Sequence, residues 1–239
     1  MNTVVFIQAR LGSTRFPGKI FSKYKNTTML EVLLKRLSLS KKINKIIFLI
    51  PDNKENIPLK SFIKKLGYNF FCGSEENVLS RFFFAAKKFK PLTIIRITSD
   101  CPLIDPFILD KMIKKFNESK FDYLSNTIHP TYPDGFDVEI FSRKTLSLAF
   151  KNANLDYDKE HVTPYIRELD VFSKSNYSNN EDFSALRWTV DDQEDFDVIS
   201  KVFEHFKPNI YFSWKEVLAL YNNRPQLFAA NFQTQRNEG

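Results

Sequence analysis

The stretch Val4-Val5-Phe6-Ile7-Gln8-Ala9-Arg10-Leu11-Gly12-Ser13-Thr14-Arg15-Phe16-Pro17-Gly18-Lys19 decides the fold of this chain. Its first half, residues 4–8, is a short apolar run, which predicts a strand buried on both faces. Its second half, residues 9–19, is a loop in which Arg10, Arg15 and Lys19 are interleaved with Gly12, Ser13, Thr14 and Gly18. Glycines let backbone N–H groups approach an anion, and hydroxyls add donors. Arginine offers a planar fork to phosphate oxygens and lysine a point charge. A triphosphate held here would be countered from three sides; a solvated basic loop has the same composition. The spacing is neither that of a P-loop nor that of a dinucleotide-binding glycine motif.

Outward from this stretch, strand and helix alternate. Helical spacing predicts a helix over 29–39, an apolar run a strand over 46–50, and periodicity a helix over 59–66 with Gly67 at its stop position. A short strand follows at 69–71. Ser74, with Glu75 and Glu76 behind it, reads as the cap of a helix running to about residue 89. Residues 93–98 form the next strand, and Asp105-Pro106 opens a helix by the cap-then-proline rule. Apolar strands joined by helical crossovers imply a mostly parallel sheet covered on both faces.

The second half is more mixed. It predicts strands at 123–125, 136–141 and 186–190, and helices at 144–152, 158–168 (kinked by Pro164), 192–206 and 213–221, before a loose polar tail. The expected organisation is one domain over 1–225, with a nucleotide-binding half (1–120) and an acceptor-binding and dimerisation half (121–225), then a tail over 226–239.

The 239 residues carry 35 Lys and Arg against 28 Asp and Glu, a net of +7. Residues 1–120 hold 23 basic and 9 acidic side chains (+14), and the remainder is at −7. This asymmetry points to a polyanionic ligand for the first half. A hydrophobic content of 43% with only 6 Gly excludes a disordered or collagen-like chain. No apolar run approaches the ~20 residues of a membrane-spanning helix. The first residues lack the basic start of a secretion signal, so a cytoplasmic location is expected. Cys72 and Cys101 are too few for a disulfide framework and form no metal-ligand pair.

In an open parallel sheet, ligands bind beyond the carboxyl ends of the strands. Asp100 and Asp191 each follow a predicted strand, and a strand-end carboxylate facing a phosphate loop suits Mg²⁺, a hard cation that shares its shell with phosphate oxygens. Each can equally serve a turn or cap, and Asp192, Glu194 and Asp195 read as a helix start that complements the dipole. Arg81 is either solvated or at the nucleotide. Asp137 and Glu139 share one strand face, lining an acceptor pocket or facing solvent. Asn126, His129 and Tyr132 are possible donors just upstream, and His161 is a structural or a site residue. Arg187 and Trp188 belong either to the core or to the site.

The segment Ile7 to Lys19 resembles the signature loop of the CMP-sugar synthetases, the cytidylyltransferases that activate 3-deoxy-octulosonic and sialic-type acids, and most of all their spore-coat polysaccharide branch. Further matches follow in order: Phe71-Cys72-Gly73-Ser74-Glu75-Glu76-Asn77-Val78-Leu79-Ser80-Arg81, then Arg96-Ile97-Thr98-Ser99-Asp100-Cys101-Pro102-Leu103-Ile104-Asp105-Pro106, then Ser125-Asn126-Thr127 and Tyr132-Pro133-Asp134-Gly135-Phe136-Asp137-Val138-Glu139. Glu160-His161-Val162-Thr163-Pro164-Tyr165 and Leu186-Arg187-Trp188-Thr189-Val190-Asp191 complete the series, which spans about residues 3–206. Asp192-Gln193 stands where the family usually has Thr-Pro, beside the expected ligand Asp191.

The resemblance implies a single α/β domain with a mixed sheet, like that of nucleotide-sugar glycosyltransferases. It implies transfer of CMP from CTP to a sugar acid with Mg²⁺, no nucleic-acid or membrane partner, and a homodimer. On this reading Gln8, Ala9, Arg10, Leu11, Gly12, Ser13, Thr14, Arg15, Lys19, Ser74 and Arg81 bind the nucleotide. Arg10, Lys19 and Asp100 are catalytic, Asp100 and Asp191 hold the metal, and Asn126, Asp134, Asp137, Glu139 and His161 receive the acceptor. A nucleotidyltransferase for a sugar phosphate is the same-fold alternative, although its loop is usually richer in glycine. An RNA-binding module lacks its aromatic stacking motif here, and a glycosyltransferase lacks its Asp-x-Asp pair.

Overall fold

The computed structural model describes residues 2–232, 234 and 236. In chain order the elements begin with β1 (Thr3–Gln8), the small hairpin β2 (Lys23–Tyr24) and β3 (Thr27–Thr28), α1 (Met29–Leu37), β4 (Lys45–Pro51) and α2 (Ile57–Lys65). Then come β5 (Asn69–Gly73), α3 (Val78–Phe89), β6 (Thr93–Thr98), α4 (Pro106–Glu118), β7 (Tyr123–Ser125) and β8 (Glu139–Ser142). The chain continues with α5 (Arg143–Asn152), α6 (Asp156–His161), α7 (Pro164–Glu168), β9 (Lys174–Asn176), α8 (Gln193–Phe206) and α9 (Trp214–Asn223).

The main sheet has the order β5-β4-β1-β6-β8-β7-β9. Strands β5, β4, β1 and β6 run parallel, and β8 is antiparallel to both β6 and β7. This is a single α/β domain with a mostly parallel mixed sheet flanked by helices, as the alternation of apolar runs predicts. The pleat of β1 divides its side chains between two cores. Val5 and Ile7 pack with α1, α2, α4 and α8, whereas Val4 and Phe6 pack with α3 and α5. Both faces are dry, so the strand reads as a continuous apolar run. Burying a side chain such as Phe82, which is fully inaccessible, is worth roughly 1.5–3 kcal/mol.

Local chemistry sets most boundaries. Thr28 and Glu31 form a reciprocal capping box on α1, and Asp105 accepts from Phe107 N and Ile108 N at 2.8 and 3.1 Å to start α4. Buried Arg36 ties α1 to two distant loops by donating to the carbonyls of Leu103, Ile104, Ile210 and Phe212.

Five expectations need correction. Ser74 does not cap α3. Its hydroxyl accepts from Asn77 N at 3.0 Å in a turn, and Asn77 caps instead, accepting from Ser80 N at 2.8 Å, so the helix starts at Val78. The strand expected over 136–141 is shorter, because Gly135 turns the chain and the amide of Asn126 occupies the backbone of Phe136 and Val138. The helix expected over 158–168 is two helices, broken where Val162 adopts φ 73° and Pro164 begins the second. Residues 186–190 are extended but form no strand, pairing only through an Asp134–Arg187 bridge. The loose tail is also not uniform: Pro225–Asn231 is a 3-10 helix that buries Phe228 and Asn231. The tail expected over 226–239 includes residues 233, 235 and 237–239, which lie outside the described residues. No described helix is long and apolar enough to cross a membrane.

Candidate active site

The loops after β1, β5 and β6 all leave the carboxyl end of the parallel strands, beside the point where β8 reverses direction. A cleft of about 610 Å³ opens there. Its lining includes Arg15, Thr98, Asp100, Asp134, Asp137, Glu139, His161, Thr189 and Asp191. Residues far apart in sequence meet because Val190 N and Thr189 Oγ1 both donate to the Asp100 carbonyl, at 2.9 and 3.1 Å. That clamp sets Asp191 beside Asp100.

Lys19 closes the basic loop onto this pair. Its Nζ donates to Asp100 Oδ2 at 3.0 Å and to Asp191 Oδ1 at 2.6 Å. Burial alone would lower the lysine pKa, but the two carboxylates raise it above the usual range. Burial likewise opposes ionisation of Asp100, and Lys19 overrides it, holding the carboxyl below its ordinary value. Exposed Arg15 stands 3.5 Å from Asp191.

The rest of the loop is arranged as a lip around this cation. Ala9 N donates to Leu49 O at 3.2 Å and Leu11 N to the Asn56 side chain at 2.9 Å, pinning the loop to the neighbouring strand and helix. Gly12 packs against the Glu55 carboxylate, Ser13 Oγ accepts from Phe16 N at 3.3 Å, and Arg10 and Thr14 are exposed. Gln8, at the end of β1, accepts from Arg96 at 3.1 Å.

Arg81 sits in the first turns of α3, buried rather than solvated. Among the described residues its Nε and Nη1 meet no hydrogen-bond partner. Desolvation, with the nearby charge of Arg10, depresses its pKa to about 10. Two buried donors without partners ask for a polar ligand. Ser74 is exposed beside this helix end.

The expected acceptor residues divide. Asp134, Asp137, Glu139 and His161 line the cleft. Asn126 does not: it is buried beneath it, its amide donating to Phe136 O at 2.7 Å and accepting from Val138 N at 2.9 Å, so it braces the backbone. Tyr132 is also a core residue, packed edge-on against Trp214 at 5.4 Å. Glu139 is fully engaged. It pairs with Arg96 and accepts from Tyr123 Oη and Thr163 Oγ1, each at 2.5 Å. Burial opposes its ionisation, but these partners hold its pKa below normal. Asp137 accepts from Arg236, yet burial still pushes its pKa up to about 7. His161 ends α6 with its ring 4.6 Å from that of Tyr157 at the cleft mouth.

Two residues matter more than the sequence suggested. Arg187 donates to Asp195 at 2.9 and 2.8 Å, to Asp134 at 3.0 Å and to Asp191 at 3.1 Å. Asp195, expected only at a helix start, is wholly buried, and also accepts from Asp191 N at 2.9 Å and Asn231 at 2.8 Å. Together they fix the orientation of Asp191, while Trp188 belongs to the core against Phe136. The spacing Arg187, Asp191, Asp195 was a usable signal. Arg236, distant in sequence, gave none. Cys101 lines the cleft, and burial raises its thiol pKa well above normal, which disfavours the thiolate form.

Among the described residues no group of three or more His, Cys, Asp or Glu side chains could hold a metal alone. Two carboxylates sharing one cation, Asp100 after β6 and Asp191 after an extended loop segment, suit an ion that takes the rest of its shell from phosphate and water.

A basic loop over a pair of carboxylates at the carboxyl edge of such a sheet defines a nucleotidyltransferase. Comparison makes this specific. The chain belongs to the cytidylyltransferase family, whose model matches residues 4–237. It is 32% identical to the spore coat polysaccharide biosynthesis protein SpsF of Bacillus subtilis over 94% of this chain and 96% of that one. It is 23% identical to the 8-amino-3,8-dideoxy-manno-octulosonate cytidylyltransferase of Shewanella amazonensis, covering 72% and 74% respectively. The solved structure of a cytidylyltransferase from Leptospira borgpetersenii superposes with a TM-score of 0.91 at 33% identity over all of both chains.

Proposed function

We propose that this chain transfers CMP from CTP to a hydroxyl of a nonulosonic-type sugar acid, with Mg²⁺, for surface polysaccharide synthesis. The observation that carries the reading is the bridge by which Lys19, the last cation of the loop, joins Asp100 and Asp191. The names of the Bacillus and Shewanella relatives support a glycan pathway and a sugar acid. The same reading includes a cytoplasmic homodimer, whose mass in solution would be twice that of the 28.1 kDa chain.

Arg10, Arg15 and Lys19 counter the triphosphate and the departing pyrophosphate, and Arg81 supplies donors to the pyrimidine or ribose. The acceptor oxygen bonds to the α-phosphorus in line as the bond from that phosphorus to the bridging oxygen breaks. Pyrophosphate leaves with the bonding electrons, and the hydroxyl proton passes to solvent. Such chemistry depends on positioning and charge stabilisation, without a covalent enzyme intermediate. Asp100 and Asp191 would hold Mg²⁺, which when bound offsets phosphate charge and acidifies the hydroxyl. Arg187 and Asp195 keep Asp191 aimed at the cleft.

Pyrophosphate release from each of the four nucleoside triphosphates, across a panel of nonulosonic acids with and without Mg²⁺, tests the proposal. Release only with CTP, an acid and Mg²⁺ is expected; release indifferent to the base sinks the cytidylyl assignment.

A further inference from the structure

We propose that Arg236 selects an acidic acceptor by pairing with its carboxylate, a role that rests on the function proposed above. The acceptor end of the cleft presents Asp134, Asp137 and Glu139, which on their own would repel an anionic sugar. Of the other cations nearby, Arg15 and Arg167 line the cleft from exposed positions, and three more are ion-paired. Arg96 is taken by Glu139 and Gln8, Arg187 by Asp134, Asp191 and Asp195, and Lys19 by Asp100 and Asp191. Arg236 is paired too, with the single carboxylate of Asp137. It comes from the opposite end of the sequence, lines the cleft, and is largely shielded from solvent.

Its Nη1 donates to Tyr132 O at 3.2 Å, which fixes the guanidinium, and its Nη2 donates to Asp137. That second bond is exchangeable. The Asp137 side chain is 32% exposed, and desolvation together with the neighbouring Asp134 carboxylate pushes its pKa up to about 7 even beside the arginine, which weakens this pair. A substrate carboxylate can take its place, and the released Asp137 then accepts from sugar hydroxyls. Charge-assisted pairs of this kind are shorter and stronger than neutral hydrogen bonds, which converts one arginine into discrimination between an acid and a neutral sugar.

The test compares the wild type, Arg236→Ala and Arg236→Lys on the acid that supports turnover and on its carboxamide. The wild type should prefer the acid by about 10–100-fold in kcat/KM, the range of a charge-assisted bond. Arg236→Ala should raise the KM for the acid by a similar factor and bring the two substrates level, with the KM for CTP unchanged. Arg236→Lys should recover part of the preference. Equal losses on acid and carboxamide, or no loss on either, overturn the proposal. If the wild type turns over no sugar acid at all, the parent reading fails and takes this one with it.

Discussion

Lys19 faces two carboxylates with one ammonium, and this makes the site sensitive to single side chains. Asp100→Asn keeps the shape but replaces one acceptor oxygen by a donor and removes half of the anionic pair. Turnover should fall on the order of 10²–10³-fold, the scale for losing one transition-state charge contact, with circular dichroism unchanged. Full Mg²⁺-dependent activity in that variant would remove Asp100 from the mechanism. Arg187→Ala should act differently. It strands Asp195, which is wholly buried, and removing one partner of a buried pair costs roughly 3–5 kcal/mol. Chemical denaturation should show that loss alongside the loss of activity. Asp137 gives a pH signature. Its folded pKa is raised, so the stability it contributes is complete below the ordinary aspartate range and is lost as pH rises through about 7. Asp137→Asn should therefore gain melting temperature relative to the wild type at pH 8 but not at pH 4, and a pH-independent difference would contradict the assignment.

At the scale of elements, the decisive contact is between two segments that belong to no long strand. Gly135 has φ 101°, and a Cβ there would lie 2.6 Å from the Trp188 carbonyl carbon and oxygen. Both the conformation and the backbone contact demand glycine. The approach lets Asp134 bridge to Arg187 and thereby seats the segment that ends in Asp191. Gly135→Ala should cost on the order of 3 kcal/mol and depress kcat more than the overall fold content. Near-wild-type stability and turnover would show that the two segments can separate without harm. Much of this scale was legible in the sequence. The apolar runs located β1, β4 and β6, and the cap-then-proline pair located α4, because these signals are local. The start of α3 was missed because Ser74 and Asn77 are both competent caps, and local chemistry does not rank them. The run 186–190, which the sequence predicts as a strand, forms none because its backbone hydrogen bonds go to the loop residues Asp134 and Asp100.

At the scale of the molecule, the charge split of the sequence resolves into a short basic lip and a cleft rich in carboxylates. Arg10 and Arg15 are exposed, so their attraction for a triphosphate is open to screening, whose range is about 10 Å at 0.1 M salt. Raising NaCl should increase the KM for CTP several-fold while the melting temperature, set by two apolar cores, stays nearly constant. A salt-independent KM would mean that the exposed arginines do not meet the nucleotide. The two cores also explain why the site keeps its shape: β1 and β6, which deliver the basic loop and Asp100, are packed on both faces.

The sequence by itself determined the alternation of strand and helix, the parallel sheet, the basic loop from Arg10 to Lys19, and the carboxylates that end in its neighbourhood. These follow from periodicity, caps and charge within short windows. Only the tertiary structure decided that Asp191 meets Asp100, that Arg187 and Asp195 hold it there, that Asn126 is spent on the backbone, and that Arg236 lines the cleft beside Asp137. Each of those depends on chain segments separated by tens of residues or more, or on competition among polar partners for the same buried donors. No local pattern encodes the outcome of that competition; the packing of the whole chain does.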